Sequence, residues 1–142
     1  SMQIKIKRID ETLPLPTYQT PGSVAFDIYA RIDITIPPQS LGRIPSNLII
    51  QVPKGYVLVI KDRSSTAGKG LLFTAGVIDQ DFCGPQDEIQ LQVYNYTKNA
   101  VSIYRGQRIA QGIFLPIEKA QWQEISEDIQ TTNRQGFGST GL

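Results

Sequence analysis

The chain has 142 residues, of which 40% are hydrophobic and 19% charged, and its formal net charge is +1. This length fits one domain, residues 1–142, with a buried core. Because the charge is nearly balanced, no overall field favours nucleic acid or an anionic membrane. No apolar run approaches the ~18 residues of a transmembrane span. We therefore expect neither a nucleic-acid partner nor a membrane partner.

The chain contains no histidine and one cysteine, Cys83. Catalysis by Ser-His-Asp or Cys-His groups and metal sites with histidine ligands are therefore excluded. If the chain is an enzyme, its base should be a carboxylate, and oxygen ligands favour magnesium over zinc. A single cysteine fits a reducing compartment, so we expect a cytoplasmic location, or the nucleus or a virion if the source is not bacterial.

Short runs of alternating apolar and polar residues, separated by Pro and Gly turns, predict nine or ten β-strands. In chain order the clearest are residues 2–8, 23–30, 32–36, 48–52, 56–60, 71–73, 89–94, 100–104 and 108–114. We expect 48–52 and 56–60 to pair as a hairpin. Residues 120–125 fit either a strand or a helical turn, and a turn of helix capped by a serine is expected at 66–69. The pattern predicts an all-β sandwich, jelly roll or barrel.

The segment 75–84, Ala-Gly-Val-Ile-Asp-Gln-Asp-Phe-Cys-Gly, carries the first candidate for chemistry. Small residues at both ends of a strand-like run predict a hairpin whose backbone makes a close approach. Asp79 is the candidate general base, and the Phe82 ring is a candidate floor for a planar base. The alternative is an ordinary surface turn.

Two further segments carry donors suited to phosphate. Arg63-Ser64-Ser65 follows a predicted strand, and a guanidinium with two hydroxyls can bind an anion; a solvated helix cap is the alternative. Residues 134–141, Arg-Gln-Gly-Phe-Gly-Ser-Thr-Gly, combine glycines with donors and one aromatic ring, as a closing lid does. A frayed terminus would also fit these residues. Gln111 is a polar residue within a predicted strand.

Five segments in order resemble the motifs of the trimeric dUTPase family. They are 21–30 (Pro-Gly-Ser-Val-Ala-Phe-Asp-Ile-Tyr-Ala), 63–70, 76–84, 106–111 (Gly-Gln-Arg-Ile-Ala-Gln) and 136–141 (Gly-Phe-Gly-Ser-Thr-Gly). The resemblance implies a jelly-roll-like, distorted β-barrel with a mobile C-terminal arm at 131–142. It also implies a homotrimer with shared active sites, and hydrolysis of dUTP to dUMP and diphosphate with Mg²⁺.

The resemblance also implies a role for each matching residue. Asp79 would activate the attacking water, and Asp27 would bind the magnesium through a water. The remaining residues would contact the substrate: Arg63, Ser64, Ser65 and Gln111 the phosphates; Gly76, Val77 and Ile78 the uracil edge; Phe82 the deoxyribose; and Phe137 the base as the arm closes. Within the arm, Arg134, Ser139 and Thr140 would lie near the γ-phosphate, and Gly138 would also contact the substrate.

The chain departs from the family at several places, among them Phe82 in place of a tyrosine and Asp62 in place of a proline. One alternative is the related dCTP deaminase family, which shares the fold and has a catalytic glutamate where this chain has Gln92. A second alternative is a non-catalytic member that binds a partner under nucleotide control.

Overall fold

The computed structural model describes residues 2–136, which form eleven β-strands and one short 3-10 helix. The elements in chain order are β1 (Ile6–Arg8), β2 (Phe26–Tyr29), β3 (Ile34–Ile36), β4 (Ser40–Pro45), β5 (Leu48–Ile50), β6 (Tyr56–Asp62), the 3-10 helix (Ala67–Lys69), β7 (Leu71–Phe73), β8 (Val77–Ile78), β9 (Gln90–Asn95), β10 (Val101–Ile103) and β11 (Arg108–Pro116). The prediction of an all-β fold is confirmed.

The strands form four antiparallel sheets, and most partners are distant in the chain. The sheet orders are β1-β5, β10-β3, β2-β11-β6-β8 and β4-β9-β7. The predicted hairpin between 48–52 and 56–60 is therefore wrong. A turn does follow β5, with the Tyr56 N–H donating to the Pro53 oxygen at 3.1 Å. However, β5 pairs with β1, whereas β6 pairs with β11 and β8.

One cluster of aliphatic side chains fills the space between the sheets. Its large, fully buried members come from all four sheets and from residues next to them: Ile28, Ile36, Ile44, Ile50, Val52, Leu58, Leu71, Ile89, Leu91, Val93, Ile103 and Ile109. Burying a side chain of this size contributes about 1.5–3 kcal/mol. The buried positions alternate along β9 and β6, so each strand has one apolar face and leaves its other face to solvent.

Strand β4 was not predicted from the sequence. Its inward side chains are Ser40, Gly42 and Ile44, whereas Leu41 faces out, so its hydrophobic alternation is inverted. A Cβ at position 42 would overlap the Ile36 side chain, which explains the glycine. Residues 120–125 form neither a strand nor a helix. Among the described residues, no helix has the length and apolarity needed to cross a bilayer.

Candidate active site

A cluster of charged side chains lies where β2, β6 and β11 run side by side. Asp27 is on β2, Arg63 directly follows β6, and Arg108 begins β11. The Asp27 Oδ1 lies 3.1 Å from the Arg63 Nε, and its Oδ2 lies 3.9 Å from the Arg108 Nε. The Asp27 side chain is 10% exposed, against 30% for Arg63 and 45% for Arg108. We call these three residues the arginine cluster.

The loop after β6 is fixed to β11 through Thr66. The Thr66 hydroxyl donates to the Ile109 oxygen at 3.0 Å and accepts the Arg63 N–H at 3.1 Å. Ser64 and Ser65 are exposed, so their hydroxyls reach solvent beside Arg63. The expected serine cap is wrong. Thr66 precedes the 3-10 helix and makes no side-chain cap bond, because its hydroxyl is used by Arg63 and Ile109.

Gln111 is brought to the arginine cluster by strand register. It lies opposite Asp27 on one side of β11 and opposite Lys61 on the other. Its side-chain amide donates to the backbone oxygen of Asp62 at 3.0 Å. The predicted phosphate-binding residues of the second and fourth motifs therefore lie together at one end of the four-stranded sheet.

The segment 75–84 is not the predicted hairpin. Val77–Ile78 forms β8 at the edge of a sheet, and its partner is the distant strand β6. The expected close approach of the backbone is present, because the Ile60 N–H donates to the Gly76 oxygen at 2.7 Å. A Cβ at position 76 would overlap the Ile60 oxygen, so this contact requires glycine. One edge of β8 faces β6, and the other is the outer edge of the sheet.

Asp79 and Phe82 project from the turn that follows β8. Asp79 is exposed and lines a cleft of about 380 Å³ together with Tyr56, Gln80 and Lys119. Phe82 is 38% exposed, and its backbone N–H donates to the backbone oxygen of Asp79 at 3.4 Å. The turn is anchored to β6 by the Gln80 amide, which donates to the Tyr56 oxygen at 3.1 Å. The carboxylate and the ring are thus presented to solvent by the same turn.

Within one chain, the arginine cluster and Asp79 are far apart. Two residues of β6 measure this separation. Lys61 lies opposite Gln111 of β11, whereas Leu58 lies opposite Ile78 of β8. Asp79 is one residue further from the cluster, and β8 is two strand positions away from β11. With about 3.3 Å per residue and about 4.8 Å between strands, the separation is on the order of 15 Å. The chain therefore does not bring its predicted base and its predicted phosphate ligands together.

The predicted arm falls only partly within the described residues. Arg134 lies in the exposed segment 131–136, which has no helix or strand. The predicted roles of Phe137, Gly138, Ser139 and Thr140 lie outside the described residues.

The donor set around Asp27 does not fit a magnesium site held by the protein. Both Asp27 oxygens face guanidiniums. Within residues 2–136 there is also no group of three or more acidic, cysteine or histidine side chains that could hold a metal. Asp27 is therefore not assigned as a direct ligand of magnesium.

Sequence reasoning missed two basic residues that lie beside the predicted groups. Arg108 completes the arginine cluster, and Lys119 lines the cleft with Asp79. Arg108 lies inside the motif 106–111, three residues before Gln111. Its position in that motif could have identified it as a candidate site residue. Lys119 has no comparable signal, since it follows the last strand.

Solved structures with the same fold include those of the Staphylococcus bacteriophage 80alpha dUTPase. A mutant of that protein with dUpNHpp superposes with a TM-score of 0.86 over 100% of both chains, at 20% sequence identity. Another structure of the phage protein with dUpNHpp gives the same score, coverage and identity. The likeness confirms a jelly-roll-like β fold.

The family follows from the sequence comparisons. The dUTPase family model matches residues 11–141. The deoxyuridine 5'-triphosphate nucleotidohydrolase of Dictyoglomus turgidum is 39% identical over 99% of both chains. The protein of the same name from Caldanaerobacter subterraneus is 38% identical over 100% of this chain and 99% of its own. The chain belongs to the dUTPase family, and the predicted resemblance is confirmed.

Proposed function

We propose that the protein is a dUTP diphosphatase that converts dUTP and water to dUMP and diphosphate. The observation that carries the proposal is the full-length similarity to proteins named deoxyuridine 5'-triphosphate nucleotidohydrolase. The geometry supports it, since the partly exposed Arg63 and the exposed Ser64 and Ser65 that follow it in the chain offer donors to a triphosphate.

In the proposed reaction, a water attacks the α-phosphorus of dUTP, Asp79 takes its proton, and diphosphate leaves. The outer edge of β8 can pair with the uracil edge through backbone groups of Gly76, Val77 and Ile78, because an edge strand presents N–H and C=O groups. Phe82 would pack against the deoxyribose. Arg134 and the residues from Phe137 to Thr140 would close over the substrate.

A homotrimer with shared sites is part of the proposal. The separation of Asp79 from the arginine cluster supports it, since a second copy can supply the missing half of each site. An exposed apolar row crosses the β4-β9-β7 sheet, where Leu41 and Leu72 flank Tyr94. Leu41 is 61% and Leu72 46% exposed, and Trp122, beyond β11, is 91% exposed. Such surfaces are typical of contacts between subunits.

Magnesium remains part of the proposal as a companion of the substrate. Mg²⁺ commonly binds through substrate phosphates with few protein ligands, which agrees with the donor set described above. A single domain over residues 1–142, the mobile arm at 131–142 and a cytoplasmic location also stay predictions. The free thiol of Cys83 is consistent with a reducing compartment.

The test is diphosphate release from dUTP, dCTP, dTTP and UTP, with and without a divalent ion, by protein whose mass in solution has been measured. We expect release from dUTP alone, a divalent-ion requirement and three times the chain mass. Equal turnover of dCTP would refute the base specificity. Ammonia release from dCTP would favour the deaminase alternative, although Gln92 is hydrogen-bonded to Thr74 and Arg43 on the outer sheet face.

A further inference from the structure

The Asp27 carboxylate makes its shortest charged contacts with arginines. It lies 3.1 Å from the Arg63 Nε and 3.9 Å from the Arg108 Nε, one oxygen for each guanidinium. With a side chain that is 10% exposed, Asp27 has little surface left for solvent or for a hydrated ion. A carboxylate in these surroundings is stabilised by the two cations and is costly to separate from them.

Arg63 is held by one ion pair and one hydrogen bond. Its Nε faces Asp27, and its Nη1 donates to the Arg108 backbone oxygen at 3.2 Å. A guanidinium has five N–H donors, so these contacts fix the group and leave donors for an anion. The side chain is 30% exposed, which makes those donors accessible from solvent.

Arg108 is the second cation at the same place. It begins β11, three residues before Gln111, and its side chain is 45% exposed. Two guanidiniums that share one carboxylate repel each other, and the carboxylate offsets this repulsion. Asp27 thus allows two arginines to lie close together, with Ser64 and Ser65 directly after Arg63 in the chain. Either arginine alone would give a weaker anion site.

We propose that Asp27 is a positioning residue that holds Arg63 and Arg108 as a two-arginine clamp for the triphosphate, and that Arg108 is a second phosphate-binding arginine. The proposal rests on the proposed function for the identity of the ligand. It replaces the expected role of Asp27 as a ligand of a magnesium-bound water.

The test measures binding without a metal. Calorimetric titrations in excess EDTA compare inorganic triphosphate and dUpNHpp on the wild-type protein, Asp27→Asn and Arg108→Gln. The control is Arg105→Gln, because the Arg105 side chain is 46% exposed and also pairs with one aspartate, Asp10, at 2.9 Å. Arg105 thus matches Arg108 in residue type, exposure and number of carboxylate partners.

We expect Arg108→Gln and Asp27→Asn each to weaken triphosphate binding by about tenfold or more, because charge-assisted contacts are lost or misplaced. Arg105→Gln should bind like the wild type. The Mg²⁺ concentration that half-saturates diphosphate release should be unchanged in Asp27→Asn. If Asp27→Asn does not fold, Arg108→Gln, whose side chain is more exposed, decides the proposal alone.

Two outcomes would overturn the clamp. One is unchanged metal-free binding in Arg108→Gln. The other is an Asp27→Asn protein with wild-type metal-free affinity and a Mg²⁺ requirement raised several-fold, as expected for a ligand of magnesium-bound water. Failure of the proposed function has a different signature: the wild type would bind inorganic triphosphate in a manner dependent on Arg108 but would release no diphosphate from dUTP.

Discussion

Replacing Asp79 by asparagine removes the proposed base with little change in shape. Asp79 is exposed in the turn after β8, and it is the main-chain oxygen of Asp79, retained in the variant, that accepts the Phe82 N–H. We therefore expect the free energy of unfolding to change by no more than about 0.5 kcal/mol. Turnover of dUTP should fall by about 10²–10⁴, the usual contribution of a positioned base, or about 3–5 kcal/mol of barrier.

The assay measures initial rates of diphosphate release across dUTP concentrations, together with the affinity for dUpNHpp. We expect kcat to fall while the affinity stays within about threefold, since asparagine keeps the size of the side chain. Asp81→Asn is the matched control, because Asp81 is exposed in the same turn and lines the same cleft. The reasoning is refuted if Asp79→Asn keeps more than a tenth of the wild-type rate, or if Asp81→Asn loses as much.

Three further predictions test the surroundings of the site. Gly76→Ala should lower stability by about 1–3 kcal/mol and the Tm by several degrees, because its Cβ would overlap the Ile60 oxygen; Gly68→Ala, whose Cβ would meet nothing within 4 Å, is the calorimetric control. Deleting residues 136–142 should strongly reduce turnover and leave the mass in solution at three chains, and an unchanged rate would show that the arm is not a lid. The Thr12 hydroxyl and Arg105 lower the pKa of Asp10 from 3.8 to about 2. The ionised Asp10 carboxylate therefore stabilises the folded state above about pH 4, and this stabilisation is lost as the pH falls through about 2. The difference in urea midpoint between wild type and Asp10→Asn should therefore shrink over that range, and a constant difference would contradict it.

The local features of the fold could be predicted from the sequence, whereas the pairing of strands could not. Alternation identified β9 because its inward positions are large and apolar, as at Leu91 and Val93. It failed for β4, where Gly42 makes room for Ile36 and Leu41 points outward. The hairpin error at residues 48–60 has another cause. Period-2 patterns show which face of a strand is buried but carry no information on its partner.

In the candidate site, too, the local features could be predicted from the sequence, whereas contacts between distant residues could not. The motifs led to Asp79, Arg63 and Gln111 as candidates, because each proposed role depends on a residue type within a short segment. The surroundings of Asp27 depend on contacts between residues far apart in the chain, since Arg63 and Arg108 are 36 and 81 positions away. No local sequence pattern around Asp27 indicates that its carboxylate will form ion pairs with two arginines.

The arginine cluster and Asp79, the two halves of the proposed site, need different surroundings. The cluster must hold charge in a partly desolvated place, and its members are fixed by contacts across β2, β6 and β11. As the proposed base, Asp79 must take a proton from water, and it lies in an exposed turn beside the sheet edge. If both halves were adjacent in one chain, the arginines would pair with Asp79 and compete with the attacking water for its oxygens. In the proposed homotrimer, the two halves lie about 15 Å apart within each chain and would meet only between copies with substrate bound. The proposed base would then stay free until the triphosphate lies between the two halves.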